Sequence, residues 1–415
     1  MNGEKKQRQH RLRARDGGMA LSSRTALHAR NAYPCRIALL AAFLSLALPA
    51  LLFSLELGSP EWGYALDLPE GYQLAERSGS DRYHFSHTLY PAELQIALYG
   101  RDRFPDAPTA LTFVTDQFQS KGHQVSFTWR NRAAAIGQLS FSAHSGWALA
   151  LELANGKGWL VMAAYTDEKR ATELEPLIVS SLDAVFTDDG SYFESGPMTA
   201  FAWGKEKGIT AEYDDGTTKV SLPFNAIDAN ANQSIVDREF SLLTSYLDTP
   251  YVYDAWKRYY RFIWRDAWAR FEKSAFILEN RLPSDPAELT AKLLSWTQSF
   301  TYERNFQGSD FVNLPQAFAS HTGDCDSRAL HHVLLLNEMG VDAVLLVSPE
   351  YSHALAAVDC PGPGARFETG GKKYLIADTT AKTKPGLIAA DMADPLKWFA
   401  VDFYAFPRVQ SAKVN

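Results

Sequence analysis

A cysteine, a histidine and an aspartate follow one another in the C-terminal third of this 415-residue chain. Cys325 lies in the segment HTGDCDSRALHHVLLLNEMG, where apolar residues recur at helical spacing up to Gly340. This spacing predicts that Cys325 stands in the first turn of a helix. The free N–H groups of a first turn favour an anion, although Asp324 and Asp326 oppose a thiolate. Cys325 is therefore a candidate nucleophile.

Two predicted strands carry the candidate partners of this thiol. His353 begins the strand HALAAVD, and Asp378 ends the strand KKYLIAD. In an antiparallel pair the start of one strand lies beside the end of the next, so the two side chains can be neighbours. A helix packed on this sheet would bring Cys325 to His353. The arrangement predicts a nucleophile, a base, and a carboxylate that orients the base.

These residues resemble the transglutaminase-like superfamily. The resemblance rests on GDCDSRA at 323–329, MGV at 339–341, SHA at 352–354 and LIADTT at 375–380, with FTY at 300–302 and NLP at 313–315 upstream. It implies a papain-like α+β core over about residues 284–385, in which Cys325, His353 and Asp378 form the catalytic triad. Family members often have an aromatic residue after the histidine. This chain has Ala354 there, which favours hydrolysis over cross-linking.

The resemblance implies acyl transfer from an amide of a peptide or protein substrate, either a peptide amide or an amide of the glutamine type. Cys325 attacks the carbonyl, and His353 protonates the leaving amine and then activates the acceptor. The Cys325 backbone N–H is one candidate oxyanion donor, and Gln316 or Trp296 is another. No cofactor and no metal are expected, because the sequence has neither a C-x-x-C pair nor an acidic ligand loop. The alternative function is a non-catalytic scaffold in which residues 62–187 dock a protein partner.

Other cysteine and histidine residues leave alternatives open. A Cys325–Cys360 disulfide would silence the thiol, although Cys360 lies roughly 23 Å along the strand from the candidate base. A disulfide needs Cα atoms within about 7 Å of each other. His321 is an alternative base. His331 and His332 follow on the same helix and are predicted to lie on its surface.

The N-terminal residues carry a topology signal. Residues 1–36 hold nine Lys or Arg and two acidic residues, whereas the whole chain has a net charge of -7. The uncharged segment Ile37–Leu55 follows and nearly spans a hydrocarbon core of ~30 Å. The positive-inside rule predicts a single-pass protein of the cell membrane with a cytoplasmic N-terminus and an extracytoplasmic body. A cleaved signal peptide starting at Met19 is the alternative. A basic tail on an acidic body does not indicate nucleic-acid binding.

The rest of the chain is predicted to be an α+β protein in several parts. Its composition, 46% hydrophobic and 21% charged, is typical of globular proteins. Residues 62–187 alternate strand patterns with two helices and resemble the PsbP-like α/β sandwich, from LDLPEGY to LIVSSLDAVF. An aromatic stripe over residues 251–278 is predicted to be core. The predicted parts are a basic cytoplasmic tail (1–36), a transmembrane helix (37–56), the α/β sandwich (62–187), a linker (188–197), a hairpin with aromatic helices (198–283) and the transglutaminase-like domain (284–410).

Overall fold

The computed structural model describes residues 56–403, apart from residues 155, 205 and 305–308. Within this part of the chain, no helix is both long enough and apolar enough to cross a membrane. The predicted transmembrane segment Ile37–Leu55 and the basic tail before it lie outside the described residues. Glu56, predicted as the last residue of the membrane helix, is instead the first residue of strand β1 (Glu56–Ser59).

One antiparallel sheet organises the N-terminal half of the described chain. The elements in chain order are β2 (Tyr64–Asp67), β3 (Tyr72–Ser78), β4 (Arg82–His87), β5 (Ala92–Gly100), α1 (Ala107–Gln117), β6 (Gln124–Trp129), β7 (Arg132–Phe141), β8 (His144–Glu152), β9 (Gly158–Asp167), α2 (Ala171–Asp183) and β10 (Val185–Phe186). The seven strands β3 to β9 pair in the order β3-β4-β5-β9-β8-β7-β6. The strands and the two helices predicted for this region are present.

The two helices of this half cover opposite faces of the sheet. Successive side chains of a strand point to opposite sides. On β8, Ala148 and Ala150 belong to the core that α1 covers. Leu149 and Leu151, between and after them, belong to the larger core that α2 joins. Both faces of the central strands are therefore buried.

The C-terminal half combines helices with a second antiparallel sheet. Its elements are α3 (Pro197–Ala202), β11 (Gly208–Asp214), β12 (Lys219–Asn225), α4 (Asp228–Ser245), α5 (Val252–Glu279), α6 (Pro286–Thr297), β13 (Thr301–Tyr302), α7 (Leu314–Ser320), β14 (Thr322–Gly323), α8 (Cys325–Glu338), β15 (Ala343–Ser348), β16 (His353–Val358), β17 (Arg366–Thr369), β18 (Lys372–Ala377) and β19 (Phe399–Val401). The sheet order is β17-β18-β16-β15-β19, and α8 packs on β15 and β16. The prediction of a mixed α+β fold is confirmed.

Helix α5 carries the predicted aromatic core. Tyr260, Trp264 and Phe271 are each at most 1% exposed. The helix contacts α4, α8 and the hairpin strand β12, so its apolar stripe faces several elements at once. Such a position explains why a helix with many aromatic side chains is buried along most of its length.

Helix α5 also buries arginines, which no local pattern in the sequence marks as paired. Arg261 donates from Nε and Nη2 to both carboxylate oxygens of Asp67 on β2, at 2.8 and 2.7 Å. Arg258 donates to Glu239 on α4 at 2.5 Å. Buried charges are tolerated only when they are paired and hydrogen-bonded. These ion pairs therefore fix α5 against both halves of the described chain.

The segment predicted as a linker, residues 188–197, packs into the core. It contains the short 3-10 helix Asp189–Phe193. Tyr192 is 6% exposed, and its hydroxyl donates to the carbonyl oxygen of Phe403 at 2.8 Å. The described residues accordingly belong to one compact unit. The finer division of this unit into three modules stays a prediction.

Candidate active site

Cys325 is the first residue of α8, where the sequence places it. Asp324 is the N-cap, and its carboxylate accepts a hydrogen bond from the Ser327 backbone N–H at 2.8 Å. This N-cap hydrogen bond stabilises the first turn of α8, which therefore begins at Cys325. The Cys325 side chain is buried, with 8% of the residue exposed.

His353 and Asp378 are brought together by the pairing of β16 with β18. His353 is the first residue of β16, and Asp378 directly follows the last residue of β18. The antiparallel register pairs Ala356 with Ala377, which places the start of one strand beside the end of the other. His353 Nε2 lies 3.7 Å from Asp378 Oδ1. This distance allows an ionic interaction but is too long for a hydrogen bond.

Thr380 bridges this pair. Its hydroxyl donates to Asp378 Oδ1 at 2.8 Å and lies 3.4 Å from His353 Nε2. Burial raises the pKa of Asp378, but the interaction with His353 and the hydrogen bonds from Thr380 and Ala381 outweigh it and lower the pKa to about 2. Asp378 is therefore an anion at neutral pH and can hold the orientation of the imidazole.

The thiol of Cys325 is directed to Asp326 rather than to His353. Sγ donates to Asp326 Oδ1 at 3.1 Å, and Tyr260 on α5 donates to Asp326 Oδ2 at 2.5 Å. Burial raises the pKa of the Cys325 thiol, and the carboxylates of Asp326 and Asp324 raise it further. The helix start was expected to favour a thiolate. The two nearby aspartates and the burial of the sulphur have a larger effect on the thiol pKa than the helix start, so the resting sulphur is a protonated thiol.

Cys325 nevertheless lies against the start of β16. The backbone N–H of Ala354, the residue after His353, acts on the Cys325 sulphur and lowers its pKa in part. The charge of His353 likewise acts on Asp326. The structure thus places His353 3.7 Å from Asp378 and puts Cys325 beside the same strand. Among the described residues, the thiol makes no hydrogen bond to His353.

Three neighbours of the thiol were not predicted as functional. Asp326 is adjacent in sequence, and only its charge was considered. Tyr260 comes from a distant helix, so no local signal marks it. Burial and the nearby sulphur of Cys325 raise the pKa of Tyr302 to about 12, which keeps its hydroxyl protonated. Tyr302 lies in the FTY segment that the superfamily resemblance includes.

The described contacts of the two candidate oxyanion side chains do not involve the thiol. Gln316 Oε1 accepts a hydrogen bond from Asn313 at 3.1 Å. Trp296 is 2% exposed and packs with its ring 4.8 Å from Phe300 and 5.3 Å from Phe318. Within the described part of the chain, neither side chain is hydrogen-bonded near the thiol. The Cys325 backbone N–H stays the predicted donor.

The other histidines of this region have structural positions. His321 hydrogen-bonds the Glu212 carbonyl oxygen through Nε2 at 3.0 Å and stacks on Phe300. The prediction that His331 and His332 lie on the helix surface is wrong, since both are 0% exposed. Helix α8 is covered by α5, α6 and α7 as well as by the sheet, so no side of its middle turns faces solvent.

The disulfide alternative is also wrong. Cys325 and Cys360 are both buried free cysteines. Cys360 follows the far end of β16, whereas Cys325 lies at the end where β16 begins. The sulphur of Cys325 is therefore a free thiol.

One group of side chains at the thiol is close enough together to be considered as a set of metal ligands. Ligand atoms of Asp324, Cys325 and Asp326 lie within 4.8 Å of one another. The oxygens of this group accept protein donors, since Asp324 Oδ1 binds Ser327 and both Asp326 oxygens accept hydrogen bonds. The donor set is thus organised around protein hydrogen bonds rather than around a cation.

Comparisons with known proteins add little to this geometry. No family model and no curated protein sequence matches the chain. The solution structure of PsbP (CyanoP) from Synechocystis matches the N-terminal part at 12% identity, covering 32% of this chain and 91% of that chain with a TM-score of 0.26. A crystal structure from Bacteroides thetaiotaomicron matches at 7% identity, covering 76% of this chain and 86% of that one with a TM-score of 0.22. At such scores neither likeness bears on function, and the first is a weak counterpart of the PsbP-like pattern.

Proposed function

We propose that this chain is a transglutaminase-like cysteine enzyme that acts on peptide or glutamine-type amides, with water as the favoured acceptor. One observation carries the proposal. His353 Nε2 lies 3.7 Å from Asp378 Oδ1 at the edge of a sheet, beside a cysteine in the first turn of a helix. In this arrangement Cys325 forms a thioester with the acyl group. His353 protonates the leaving amine and then activates water, while Asp378 orients the imidazole.

The proposal predicts that Cys325 forms an acyl-enzyme that His353 helps to hydrolyse. In wild-type protein, p-nitrophenyl acetate should give a burst of one p-nitrophenol per chain, followed by slower turnover. In His353→Ala the acetyl group should accumulate on Cys325, because loss of the base slows deacylation by about 100-fold. Stopped-flow absorbance gives the burst, and peptide mass spectrometry locates the acetyl group.

A matched histidine variant provides the control for this experiment. His321→Ala removes the alternative base and should leave burst and turnover unchanged, whereas Cys325→Ser should remove both. Turnover in His353→Ala at the wild-type rate would contradict the proposal, as would acetylation of Cys325 no faster than that of a small free thiol.

A non-catalytic scaffold is the second candidate function, and one observation favours it. Burial raises the pKa of the Cys325 thiol, which is hydrogen-bonded to Asp326 in place of the candidate base. In a scaffold Cys325, His353 and Asp378 would carry out no reaction, and residues 62–187 would dock a protein partner. A thiol that never turns over an activated ester, with or without His353, would support this function.

We propose further that the segment Ile37–Leu55 anchors the protein in the cell membrane with residues 56–403 outside the cytoplasm. The full chain should stay in the membrane pellet after extraction with alkaline carbonate, because the 19 uncharged residues of this segment nearly span the hydrocarbon core. A version lacking residues 37–55 should appear in the supernatant. Release of the full chain by carbonate would exclude an anchor and favour a cleaved segment.

A further inference from the structure

A chain of two hydrogen bonds links the Cys325 thiol through Asp326 to Tyr260 on α5. Sγ donates to Asp326 Oδ1 at 3.1 Å, and the Tyr260 hydroxyl donates to Asp326 Oδ2 at 2.5 Å. Tyr260 is 1% exposed and belongs to α5, so the tyrosine that holds the carboxylate is set in the core. Asp326 itself is partly buried, and both of its carboxylate oxygens accept hydrogen bonds from these two residues.

The candidate base has a carboxylate of its own. His353 Nε2 faces Asp378 and Thr380, at 3.7 and 3.4 Å. The site therefore contains two separate proton-handling pairs, Cys325 with Asp326 and His353 with Asp378. In a simple triad the thiol proton would pass to the imidazole, and Asp326 would have no part in the reaction.

We infer that Asp326 is a catalytic residue that accepts the proton of the Cys325 thiol when the sulphur attacks, so that His353 serves only the leaving group and the acceptor. This inference rests on the proposed function and extends it. It assigns the two carboxylates of the site to two different proton transfers.

The bonds and protons of this reaction scheme balance over one catalytic cycle. As the Sγ–C bond forms, the S–H bond breaks, its proton moves to Asp326 Oδ1, and the carbonyl π electrons move to oxygen. His353 enters this scheme protonated beside Asp378. The electrons on oxygen then re-form the carbonyl, the C–N bond breaks, and His353 gives its proton to the leaving amine. Water attacks the thioester, His353 takes the proton from water, and the departing Cys325 sulphur recovers its proton from Asp326. Each group ends as it began.

The surroundings of Asp326 suit a base. Burial raises the pKa of Asp326, and the charge of Asp310 adds to the effect, while the Tyr260 hydroxyl and the charge of His353 lower it. Asp324 is electrostatically coupled to the same carboxyl. The net shift is upward, and a carboxylate of raised pKa removes a proton better than an ordinary one. Burial also raises the pKa of Tyr260 strongly, so its hydroxyl stays a donor throughout.

The test is the rate of alkylation of Cys325 by iodoacetamide in the full chain between about pH 5 and pH 9, quantified on the Cys325 peptide by mass spectrometry. In wild type the rate should level off once Asp326 is ionised, well below the pH at which a free thiol ionises near 8.5. Alkylation should be slower in D2O than in H2O, because the thiol proton is transferred to Asp326 in the rate-limiting step. Asp326→Asn should lower the rate at pH 7 by about tenfold or more.

Asp324→Asn is the matched control, since it removes a carboxylate on the other side of the same cysteine and retains a good N-cap. It should change the rate by less than about twofold. Tyr260→Phe, which keeps the ring in the core, should give a smaller loss than Asp326→Asn with the same change in the pH profile. An unchanged or faster rate in Asp326→Asn would overturn the inference and would mean that Asp326 only suppresses the thiolate.

The outcomes of this test are separable from those of the ester assay. If the proposed function fails, His353→Ala turns over ester normally or the wild type does not turn over at all, whatever Asp326→Asn does to alkylation. If only the present inference fails, the ester burst and its dependence on His353 persist while Asp326→Asn alkylates as fast as wild type.

Discussion

Replacement of Arg261 by leucine is expected to lower the free energy of unfolding by about 3–5 kcal/mol. Arg261 makes two hydrogen bonds to Asp67, at 2.8 and 2.7 Å, and Asp67 is 1% exposed. Without the guanidinium, a carboxylate is left in the interior without its main partner. Arg258 remains 4.0 Å away, beyond hydrogen-bonding distance, and compensates only in part. Urea unfolding followed by tryptophan fluorescence measures the loss.

Two further variants serve as controls for this experiment, one at an exposed ion pair and one that removes both partners of the buried pair. Arg170→Leu breaks an exposed pair with Glu173 and should leave the unfolding curve in place. Asp67→Leu combined with Arg261→Leu should recover much of the loss, because no buried charge is then left unpaired. A loss below about 1 kcal/mol in Arg261→Leu would show that Asp67 finds solvent or another cation, contrary to its burial.

Acidification from pH 7 to pH 5 is expected to destabilise the fold by about 2 kcal/mol for each of two buried histidines. Burial lowers the pKa of His331 and of His332 to about 3. The unfolded chain protonates them near pH 6.5, so it binds more protons than the folded chain between about pH 6.5 and pH 3. Stability is therefore full above about pH 6.5 and is lost as the pH falls through this window.

Urea unfolding at several pH values tests this prediction with variants. His331→Phe combined with His332→Leu should remove most of the acid sensitivity, since neither new side chain takes up a proton. The remainder is assigned to His87, because burial lowers its pKa to about 4. His123→Gln, which changes an exposed histidine, should behave as wild type. An acid sensitivity equal in wild type and the double variant would show that the two imidazoles are not buried in neutral form.

The placement of the triad candidates could be predicted because each depends on local rules. A capping aspartate and an apolar repeat put Cys325 at the start of a helix. Antiparallel pairing put His353 next to the end of the following strand, where Asp378 lies. These inferences need only the spacing of residues within one segment or two neighbouring strands.

The remaining features depend on contacts between distant segments. Tyr260 reaches Asp326 across 66 residues of sequence, and Arg261 reaches Asp67 across 194. No local pattern announces such pairs. The burial of His331 and His332 had a signal, since the residues around them are apolar on every side of the helix, and a helix that is apolar all round is buried. The polar imidazoles of His331 and His332 interrupt the apolar pattern, which is why a surface position was predicted for them.

Tyr260 and Arg261 are consecutive residues of α5, and they point to opposite halves of the described chain. One holds the carboxylate beside the thiol, and the next binds Asp67 of the N-terminal half. The small sheet β1-β2-β10, whose strand β2 carries Asp67, is therefore part of the mechanical support of the cysteine, although it lies outside the residues that do chemistry. A shortened chain beginning at residue 198 would leave the guanidinium of Arg261 without its carboxylate and would loosen the helix that positions Tyr260. We therefore expect that a chain cut at the predicted boundary before residue 198 does not keep the site in its native geometry.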